Sequence, residues 1–353
     1  MEVFKLPTIV HEKFFTKTDQ IVFPHLLKRL NTTKTMIDAN PSKWNISKKC
    51  INDYEYVYTS SFSRDNICTK KPISRSYFKI IEIMKHMNID GKLTDCIAES
   101  PGGFIEYFLE MGCSINAISL ISDDNNIPHW NHNIINDKRV CLLNGLDDTG
   151  DIYKLKNILH YVKHSGKNRR DIVTGDGGFD YTSDFSKQEL DSYPLIYSEV
   201  LMSLLLLKRG GVFICKIFDI MYLKTIKLLY LLRISFETMH IVKPSMSRNT
   251  NSEKYIVCKG YNGYNMGRVN LMIHNYQMEL PIDIPICFVD IINTFNNQYT
   301  TKQIREIQRG VNMNKEVISR QPTKRQLMIG NKWCRDLGLG VVETFSNYRS
   351  TTK

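Results

Sequence analysis

The chain has 353 residues, of which 42% are hydrophobic, 10% aromatic and 24% charged. This balance is typical of a globular protein and excludes a disordered, collagen-like or coiled-coil chain. The nine cysteines are scattered and form no C-x-x-C pair, so neither a zinc ribbon nor a secreted disulfide scaffold is expected. Charged side chains within 1–15 argue against a signal peptide, and the longest apolar run, 200–207, is too short for a membrane helix. We therefore expect a soluble, intracellular protein.

The net charge of +11 is concentrated at the two ends of the chain. Residues 1–80 hold 14 Lys and Arg against 7 Asp and Glu, residues 301–353 hold 11 against 4, and the middle is slightly acidic. This distribution is expected if the basic ends bind a polyanion and the near-neutral centre has a different function. Lysine-rich ends that are merely solvated remain the alternative.

Strands and helices alternate between residues 74 and 260. Helical spacing predicts helices over 74–87, 104–111, 152–162, 189–207 and 222–232, and short apolar runs predict strands over 93–98, 115–121, 140–143, 171–174, 211–217, 236–242 and 255–259. The alternation predicts an α/β fold with a mostly parallel, seven-stranded sheet covered by helices on both faces. We expect the last two strands to pair as an antiparallel hairpin at one edge.

The flanking regions have weaker periodicity. Amphipathic basic helices are predicted over 300–313 and 323–337, and we expect them to pack on the central domain. We divide the chain into an N-terminal extension, 1–70, a central domain, 71–262, and a basic, helical C-terminal extension, 263–353.

Ligands of open α/β sheets bind beyond the carboxyl ends of the strands, and a glycine-rich loop follows the first predicted strand. In Glu99-Ser100-Pro101-Gly102-Gly103-Phe104, the glycines allow a ligand to approach the backbone, and the next helix begins with unpaired N–H groups. Such a loop suits a phosphate or the carboxylate of an amino-acid-like cofactor. It is neither a P-loop nor a G-x-G-x-x-G motif, and a simple strand-to-helix corner is the alternative.

Two further strand ends carry charged residues. Thr174-Gly175-Asp176-Gly177-Gly178-Phe179-Asp180 places a carboxylate among glycines after the fourth predicted strand. Lys216 interrupts the apolar fifth strand, where a buried ammonium costs several kcal/mol unless it is paired or neutral. A structural ion pair between Asp176 and Lys216 is the alternative to a catalytic role.

These loops belong to an ordered set of motifs that resembles a known family. The set consists of Ser74-Arg75-Ser76-Tyr77-Phe78-Lys79, Ser100-Pro101-Gly102-Gly103-Phe104, Asp176-Gly177-Gly178-Phe179, Phe213-Ile214-Cys215-Lys216-Ile217-Phe218 and Asn251-Ser252-Glu253-Lys254-Tyr255-Ile256-Val257-Cys258-Lys259-Gly260. It resembles the FtsJ/RrmJ-type S-adenosylmethionine-dependent RNA 2′-O-methyltransferases over about 64–260. The motif sequences are most similar to those of the cap-specific mRNA enzymes of eukaryotes and large DNA viruses. The resemblance implies the Rossmann-like methyltransferase fold of that family.

The resemblance implies a catalytic tetrad of Lys79, Asp176, Lys216 and Glu253. A ribose hydroxyl is a poor nucleophile at neutral pH, so the enzyme must align it and remove its proton. A lysine does this only as the neutral amine. We expect burial, Lys79 and a nearby sulfonium to lower the pKa of Lys216 so that it acts as general base.

The resemblance also implies a site for S-adenosyl-L-methionine. Its residues are Ala98, Glu99, Ser100, Pro101, Gly102, Gly103 and Phe104, with Asp147, Asp148 and Asp176. Asp147 is favoured over Asp148, because turns rich in Asp and Gly are usually only turns. Family members commonly place an Asp five residues before the Pro, where this chain has Cys96. Asp95 lies one residue earlier, and Glu99 is the candidate for the acidic role.

The substrate side is predicted from charge and aromatic rings. Arg64, Lys70, Lys71 and Arg75 precede Lys79 and are candidates for phosphate contacts. Trp44, Tyr54, Tyr56 and Tyr58 offer rings for base stacking, although packing in the core is favoured for each of them. The histidines form no H-E-x-x-H pair, and we expect no catalytic metal.

Together these observations predict methylation of the ribose 2′-hydroxyl of RNA, with the first transcribed nucleotide of capped mRNA as the favoured substrate. Ribosomal or transfer RNA is one alternative, and a non-catalytic RNA-binding subunit on the same fold is another. The expected partners are RNA and the capping or transcription machinery, with no membrane. The expected location is the nucleus, or the cytoplasm or virion for a viral protein.

Overall fold

A computed structural model describes residues 1–7, 9, 13–16, 20–60, 63–124, 126–165, 169–178, 187–314 and 321–345. Within these ranges one sheet has eight strands in the order β1-β7-β8-β6-β5-β2-β3-β4. The strands are β1 Glu2–Lys5, β2 Leu93–Ile97, β3 Ser114–Ile118, β4 Val140–Leu142, β5 Arg170–Gly175, β6 Leu207–Ile217, β7 Phe236–Lys243 and β8 Lys254–Tyr261.

The sheet is parallel through its centre and antiparallel towards one side. Strands β4, β3, β2, β5 and β6 pair in parallel, and β8 lies antiparallel between β6 and β7. The α/β fold class is therefore confirmed. The predicted antiparallel pairing of the last two strands on one side of the sheet is confirmed by β7 and β8. The N-terminal extension adds an eighth strand, β1, which pairs antiparallel with β7 and takes the outermost position.

Eleven α-helices surround the sheet in the described part of the chain. They are α1 Pro24–Asp38, α2 Pro41–Cys50, α3 Ser76–His86, α4 Gly103–Glu110, α5 His132–Ile135, α6 Leu155–Ser165, α7 Gln188–Leu206, α8 Leu223–Ser235, α9 Met266–His274, α10 Ile286–Val311 and α11 Lys324–Asp336. The five predicted central helices correspond to α3, α4, α6, α7 and α8, with ends that differ by a few residues. Helices α1, α2, α5 and α9 were not predicted, and α10 begins well before residue 300.

Two apolar layers separate the sheet from its helices. One layer, under α6, α7 and α8, contains the fully buried Phe213 and Tyr197, and the other, under α3 and α4, contains Phe78. Burying each such ring contributes about 1.5–3 kcal/mol. The C-terminal helices join both layers, because Phe295 of α10 packs on Phe4 at a ring distance of 5.3 Å and Trp333 of α11 packs on Phe78 at 6.0 Å. None of the helices described is long and apolar enough to cross a membrane.

Candidate active site

The sheet topology brings four charged side chains to one edge. Strands β5 and β6 are parallel neighbours, so Asp176, one residue past β5, and Lys216, near the end of β6, lie at the same edge. Strand β8 runs the opposite way, and therefore it is the residue before its start, Glu253, that reaches this edge. Lys79 arrives from the first turn of α3.

The four side chains form two adjacent ion pairs. The Lys79 Nζ atom is 2.8 Å from Oε1 of Glu253, and the Lys216 Nζ atom is 3.2 Å from Oδ1 of Asp176. Lys216 also donates a 2.7 Å hydrogen bond to the main-chain oxygen of Asp176. Each of the four side chains is between 11% and 15% exposed, so the group is shielded but open to a substrate.

Tyr255 joins the two pairs and was not singled out from the sequence. It lies opposite Lys216 in the β6–β8 register, and its hydroxyl donates a 2.7 Å hydrogen bond to Oδ1 of Asp176. The Lys79 Nζ atom lies 5.8 Å from the centre of the same ring, within the range of a cation–π interaction. Tyr255 thus fixes the acid of one pair and faces the cation of the other.

The charges of this group act on one another's pKa values. Burial of Glu253 disfavours its charged form, but Lys79, Lys216 and Lys243 outweigh burial and lower its pKa to about 2. Burial also acts to lower the pKa of Lys216, yet the carboxylates of Asp176 and Glu253 outweigh it and raise that pKa. The expected lowering of the Lys216 pKa is therefore wrong for the chain alone, because the sequence does not show how closely these carboxylates approach.

The glycines around Asp176 are required by two approaching side chains. A Cβ atom on Gly177 would lie 2.8 Å from Oε1 of Glu199, and one on Gly178 would lie 2.9 Å from the Lys216 Nζ atom. The backbone of this loop is thus held between a carboxyl group and an ammonium group. The predicted motif also included Phe179 and Asp180, which lie outside the described residues.

The Pro-Gly-Gly loop connects β2 to α4 at the same edge. Ala98 and Gly102 have left-handed backbone conformations, with φ of 55° and 112°. A Cβ atom on Gly103 would lie 2.1 Å from the Ser74 and Ser76 hydroxyls, so the N-terminus of α4 packs tightly on the turn before α3. The buried ring of Phe104 lies 6.1 Å from that of Tyr255, and this contact links the loop to the charged group.

Two residues of the loop face the next strand end. The Ser100 hydroxyl lies 2.8 Å from that of Ser119, after β3, while Pro101 accepts a 3.1 Å hydrogen bond from Asn131 N–H through its main-chain oxygen. These two contacts tie the 98–104 loop to the segment that follows β3. Ala98, at the start of the loop, lies near Gly177, where a Cβ atom would come within 3.0 Å of the Ala98 Cβ atom.

The two acids next to this loop, Asp95 and Glu99, differ in their surroundings. Asp95 is fully buried and pairs with Arg170 at 2.7 Å, so its carboxylate is already neutralised. Glu99 is also buried, and one of its carboxyl oxygens accepts a hydrogen bond from Thr174. Among the described residues the other oxygen has no hydrogen-bond partner, although the Cys96 thiol lies near the carboxyl group. Burial raises the pKa of Glu99 well above its ordinary range.

Asp147 and Asp148 occupy different positions in the loop after β4. The Asp147 carboxylate accepts hydrogen bonds of 2.6 Å from the Thr149 hydroxyl and 2.8 Å from the Asn157 amide, and it pairs with Lys154 at 3.1 Å. Its side chain therefore holds its own loop together. Asp148 is exposed and has a left-handed backbone with φ of 56°, which leaves its carboxylate the more accessible of the two.

The predicted basic residues differ in whether their side chains are already paired or remain exposed. Lys70 pairs with Glu106 at 2.8 Å and also with Glu110, so its charge is balanced. Arg75 donates hydrogen bonds of 2.8 Å and 3.1 Å to the main-chain oxygens of Tyr58 and Met246. Arg64 and Lys71 are exposed.

Of the four aromatic candidates, Tyr56 and Tyr58 are buried, which agrees with the favoured packing role. Trp44 is half-buried against Gly310 of α10, where a Cβ atom would lie 2.7 Å from its ring. Tyr54 is half-buried.

An arginine that was not singled out lies beside the tetrad. Arg248 belongs to the turn between β7 and β8 that ends at Glu253, and it binds Glu55 through two hydrogen bonds of 2.6 Å and 2.9 Å. Glu55 is buried, and Arg75 lies 3.9 Å from it. No sequence signal marks this pairing, because Glu55 and Arg248 lie 193 residues apart.

An open α/β sheet with a Pro-Gly-Gly loop and two Lys–acid pairs at one edge defines a Rossmann-like methyltransferase. The model of the FtsJ-like methyltransferase family matches residues 72–261, more than half of the chain. The chain belongs to the FtsJ-like methyltransferase family.

Curated relatives with similar sequences carry cap-specific names. Cap-specific mRNA (nucleoside-2′-O-)-methyltransferase 1 of Dictyostelium discoideum is 30% identical over 323 residues, which cover 80% of this chain and 38% of the relative. Cap-specific mRNA (nucleoside-2′-O-)-methyltransferase 2 of Danio rerio is 34% identical, over 52% of this chain and 27% of the relative. The type 1 enzyme of Trypanosoma cruzi is 37% identical, over 38% of this chain and 37% of the relative. The chain thus spans less than two fifths of each of these relatives.

Proposed function

We propose that this protein transfers a methyl group from S-adenosyl-L-methionine to the ribose 2′-hydroxyl of RNA, at the first transcribed nucleotide of capped mRNA. The observation that carries the proposal is the meeting of Lys79, Asp176, Lys216 and Glu253 at the edge where the 98–104 loop opens. The names of the relatives support the choice of a capped mRNA.

The residues of the 98–104 loop fit the cofactor. The unpartnered oxygen of Glu99 suits a donor such as an ammonium or a ribose hydroxyl, since a buried acceptor without a partner is costly. The first N–H groups of α4 suit a carboxylate. Asp148 is exposed on the neighbouring loop and is available to a second polar group of the ligand. When bound, S-adenosyl-L-methionine supplies an electrophilic methyl group on a positively charged sulfur.

Lys216 is proposed as the general base. Its amine would take the proton of the ribose 2′-hydroxyl as that oxygen accepts the methyl group that bound S-adenosyl-L-methionine would supply, with S-adenosylhomocysteine as the leaving group. Asp176 holds Lys216 through two contacts and fixes the direction of its Nζ atom. Because the Lys216 pKa is raised in the chain alone, the base depends on a neighbouring positive charge to favour its neutral form.

Lys79 and Glu253 are proposed to position the ribose. Their 2.8 Å pair places a donor and an acceptor beside Lys216, which suits a sugar that presents both kinds of group. The exposed Arg64 and Lys71, together with the partly exposed Arg75 and Arg248, are proposed to contact phosphates. Such contacts fix the register of the RNA without reading its sequence.

Two other functions are compatible with the same fold. Ribosomal or transfer RNA as substrate would require the same tetrad, so the geometry does not separate it from capped mRNA. A non-catalytic RNA-binding subunit would not require the paired lysines. The close Lys79–Glu253 and Lys216–Asp176 contacts favour an enzyme.

The test is methyl incorporation from labelled S-adenosyl-L-methionine into short RNAs of one sequence, with a 7-methylguanosine cap, a 5′-triphosphate or a 5′-hydroxyl. Nuclease digestion and mass spectrometry then locate the methyl group. We expect label on the 2′-oxygen of the first transcribed nucleotide of the capped RNA. Equal labelling of all three RNAs would contradict cap dependence, and no labelling together with normal S-adenosylhomocysteine binding would contradict the enzymatic function.

A further inference from the structure

Glu199 is a buried acid that lies directly behind the tetrad. It sits in the middle of α7, is fully buried, and faces the end of the sheet where β5 and β6 finish. Its Oε1 atom accepts a 3.2 Å hydrogen bond from the N–H of Gly177, and its Oε2 atom accepts a 3.1 Å hydrogen bond from the Cys215 thiol. Both partners are immediate chain neighbours of tetrad residues.

The glycines of the Asp176 loop are fitted to this carboxyl group. A Cβ atom on Gly175 would lie 2.7 Å from the Glu199 carboxyl carbon, and one on Gly177 would lie 2.8 Å from Oε1. Two positions of the motif that flank Asp176 therefore lack side chains where Glu199 reaches the backbone. Glu199 supports this loop from the α7 side, while Lys216 approaches Gly178.

The charge of Glu199 acts on the tetrad as well. Burial raises its pKa to about 7, against the opposing influence of Cys215 and Lys216. The ionisable groups that face it are Cys215 and Lys216 on β6, Asp176 on the loop, Glu99 after β2 and Tyr153 before α6. Of these, Lys216 is the cation, and the carboxylate of Glu199 adds to those of Asp176 and Glu253 in raising the pKa of Lys216.

We propose that Glu199 is a positioning residue of this active site, which holds the Asp176 loop through Gly177 and places a buried carboxylate behind Lys216 through its contact with Cys215. The inference rests on the proposed function, because it assigns Lys216 the role of base. The hydrogen bond from Gly177 and the negative charge of Glu199 can be tested separately, each with its own substitution.

Glu199→Gln keeps an oxygen for the Gly177 N–H but removes the charge. We expect its kcat/KM for capped RNA, at saturating S-adenosyl-L-methionine, to begin its rise with pH about one pH unit lower than in the unaltered protein. Glu199→Asp keeps the charge but is one methylene shorter and withdraws from Gly177. We expect its pH profile to stay in place while kcat falls about tenfold at every pH.

A second measurement follows the protonation of Lys216 directly and does not depend on enzymatic activity. In the full chain labelled with [13Cε]lysine, and with the Lys216 resonance assigned by Lys216→Met, we expect Lys216 to lose its proton at lower pH in Glu199→Gln than in the unaltered protein. Thermal unfolding serves as the control for folding. An unmoved pH profile and an unmoved Lys216 resonance in Glu199→Gln would overturn the inference. Failure of the unaltered protein to methylate RNA would instead contradict the proposed function, and the lysine titration would still decide the role of Glu199.

Discussion

Replacing Lys216 by Arg tests the proposed base with little disturbance of the fold. Arg keeps a positive charge for Asp176 but holds its proton at all accessible pH values, so it cannot accept the ribose proton. Loss of a general base lowers rates by about 10²–10⁴-fold, or about 3–5 kcal/mol of transition-state stabilisation. We expect kcat/KM for capped RNA to fall within this range, while S-adenosylhomocysteine binding measured by calorimetry changes little.

The pH dependence sharpens this test. The pKa of Lys216 is raised above its ordinary 10.5, so at pH 7 fewer than about 1 in 3,000 free molecules hold the neutral amine. Methyl transfer by the unaltered protein should therefore accelerate with pH, and this slope should disappear in Lys216→Arg. The matched control is Lys208→Arg, on the same strand and paired with Asp171 at 2.5 Å, which should retain full activity. Near-normal turnover of Lys216→Arg, with an unchanged slope, would refute the assignment.

Three other substitutions follow from the geometry. Glu99→Gln should weaken S-adenosylhomocysteine binding about tenfold in calorimetry, because one of the two carboxyl oxygens in the cofactor loop becomes an NH2 group that cannot accept a hydrogen bond. Gly178→Ala should lower kcat about 100-fold, since its Cβ atom would lie 2.9 Å from the Lys216 Nζ atom. Burial raises the pKa of Glu189 to about 8, against backbone hydrogen bonds from Met221 and Tyr222. Its contribution to the free energy of unfolding should therefore fall by about 1–5 kcal/mol between pH 4.5 and 8, and chemical denaturation of Glu189→Gln should not show this fall.

For each of these substitutions, a control or a contrary result distinguishes the proposed cause from other effects. Normal cofactor binding by Glu99→Gln would mean that the cofactor does not use that carboxyl group. Gly267→Ala, whose Cβ atom would lie 3.3 Å from the side chain of the N-cap residue Asn265 of α9, should match the unaltered protein in turnover. Equal losses in both glycine variants would indicate general damage. Parallel stability profiles for Glu189→Gln and the unaltered protein would show that Glu189 is ionised in the folded chain.

The sheet, Asp176 and Lys216 were predictable from local signals, whereas Lys79 and Glu253 were proposed only because of the family resemblance. Alternating strands and helices identify the α/β fold, and a lysine in an apolar strand or an acid among glycines marks a strand end where ligands bind. The same reasoning applies to Glu199, a single acid in the buried apolar part of α7, and it would have found that residue. Tyr255 lay within a quoted motif, but its hydroxyl contact with Asp176 depends on the β6–β8 register.

The remaining features depend on contacts between distant parts of the chain. Strand β1 has only four residues, and its place at the sheet edge follows from pairing with β7. The α2 sequence has few apolar residues, and its start is marked by Pro41 in the first turn and by Asn40, whose side chain accepts a hydrogen bond from Lys43 N–H. The direction of the Lys216 pKa shift depends on carboxylates that sequence spacing does not place. Such effects are fixed by tertiary packing, which overrides local propensity.

The Glu55–Arg248 pair has a consequence for how the protein can be divided. Arg248 lies five residues before Glu253, and the turn that carries both is tied to the N-terminal extension by this pair. A fragment trimmed to the family-matched residues 72–261 would retain every member of the tetrad and yet lack Glu55. Arg248 would then lack its counterion Glu55. We therefore do not expect the trimmed fragment to fold stably on its own, although it contains the complete catalytic sequence.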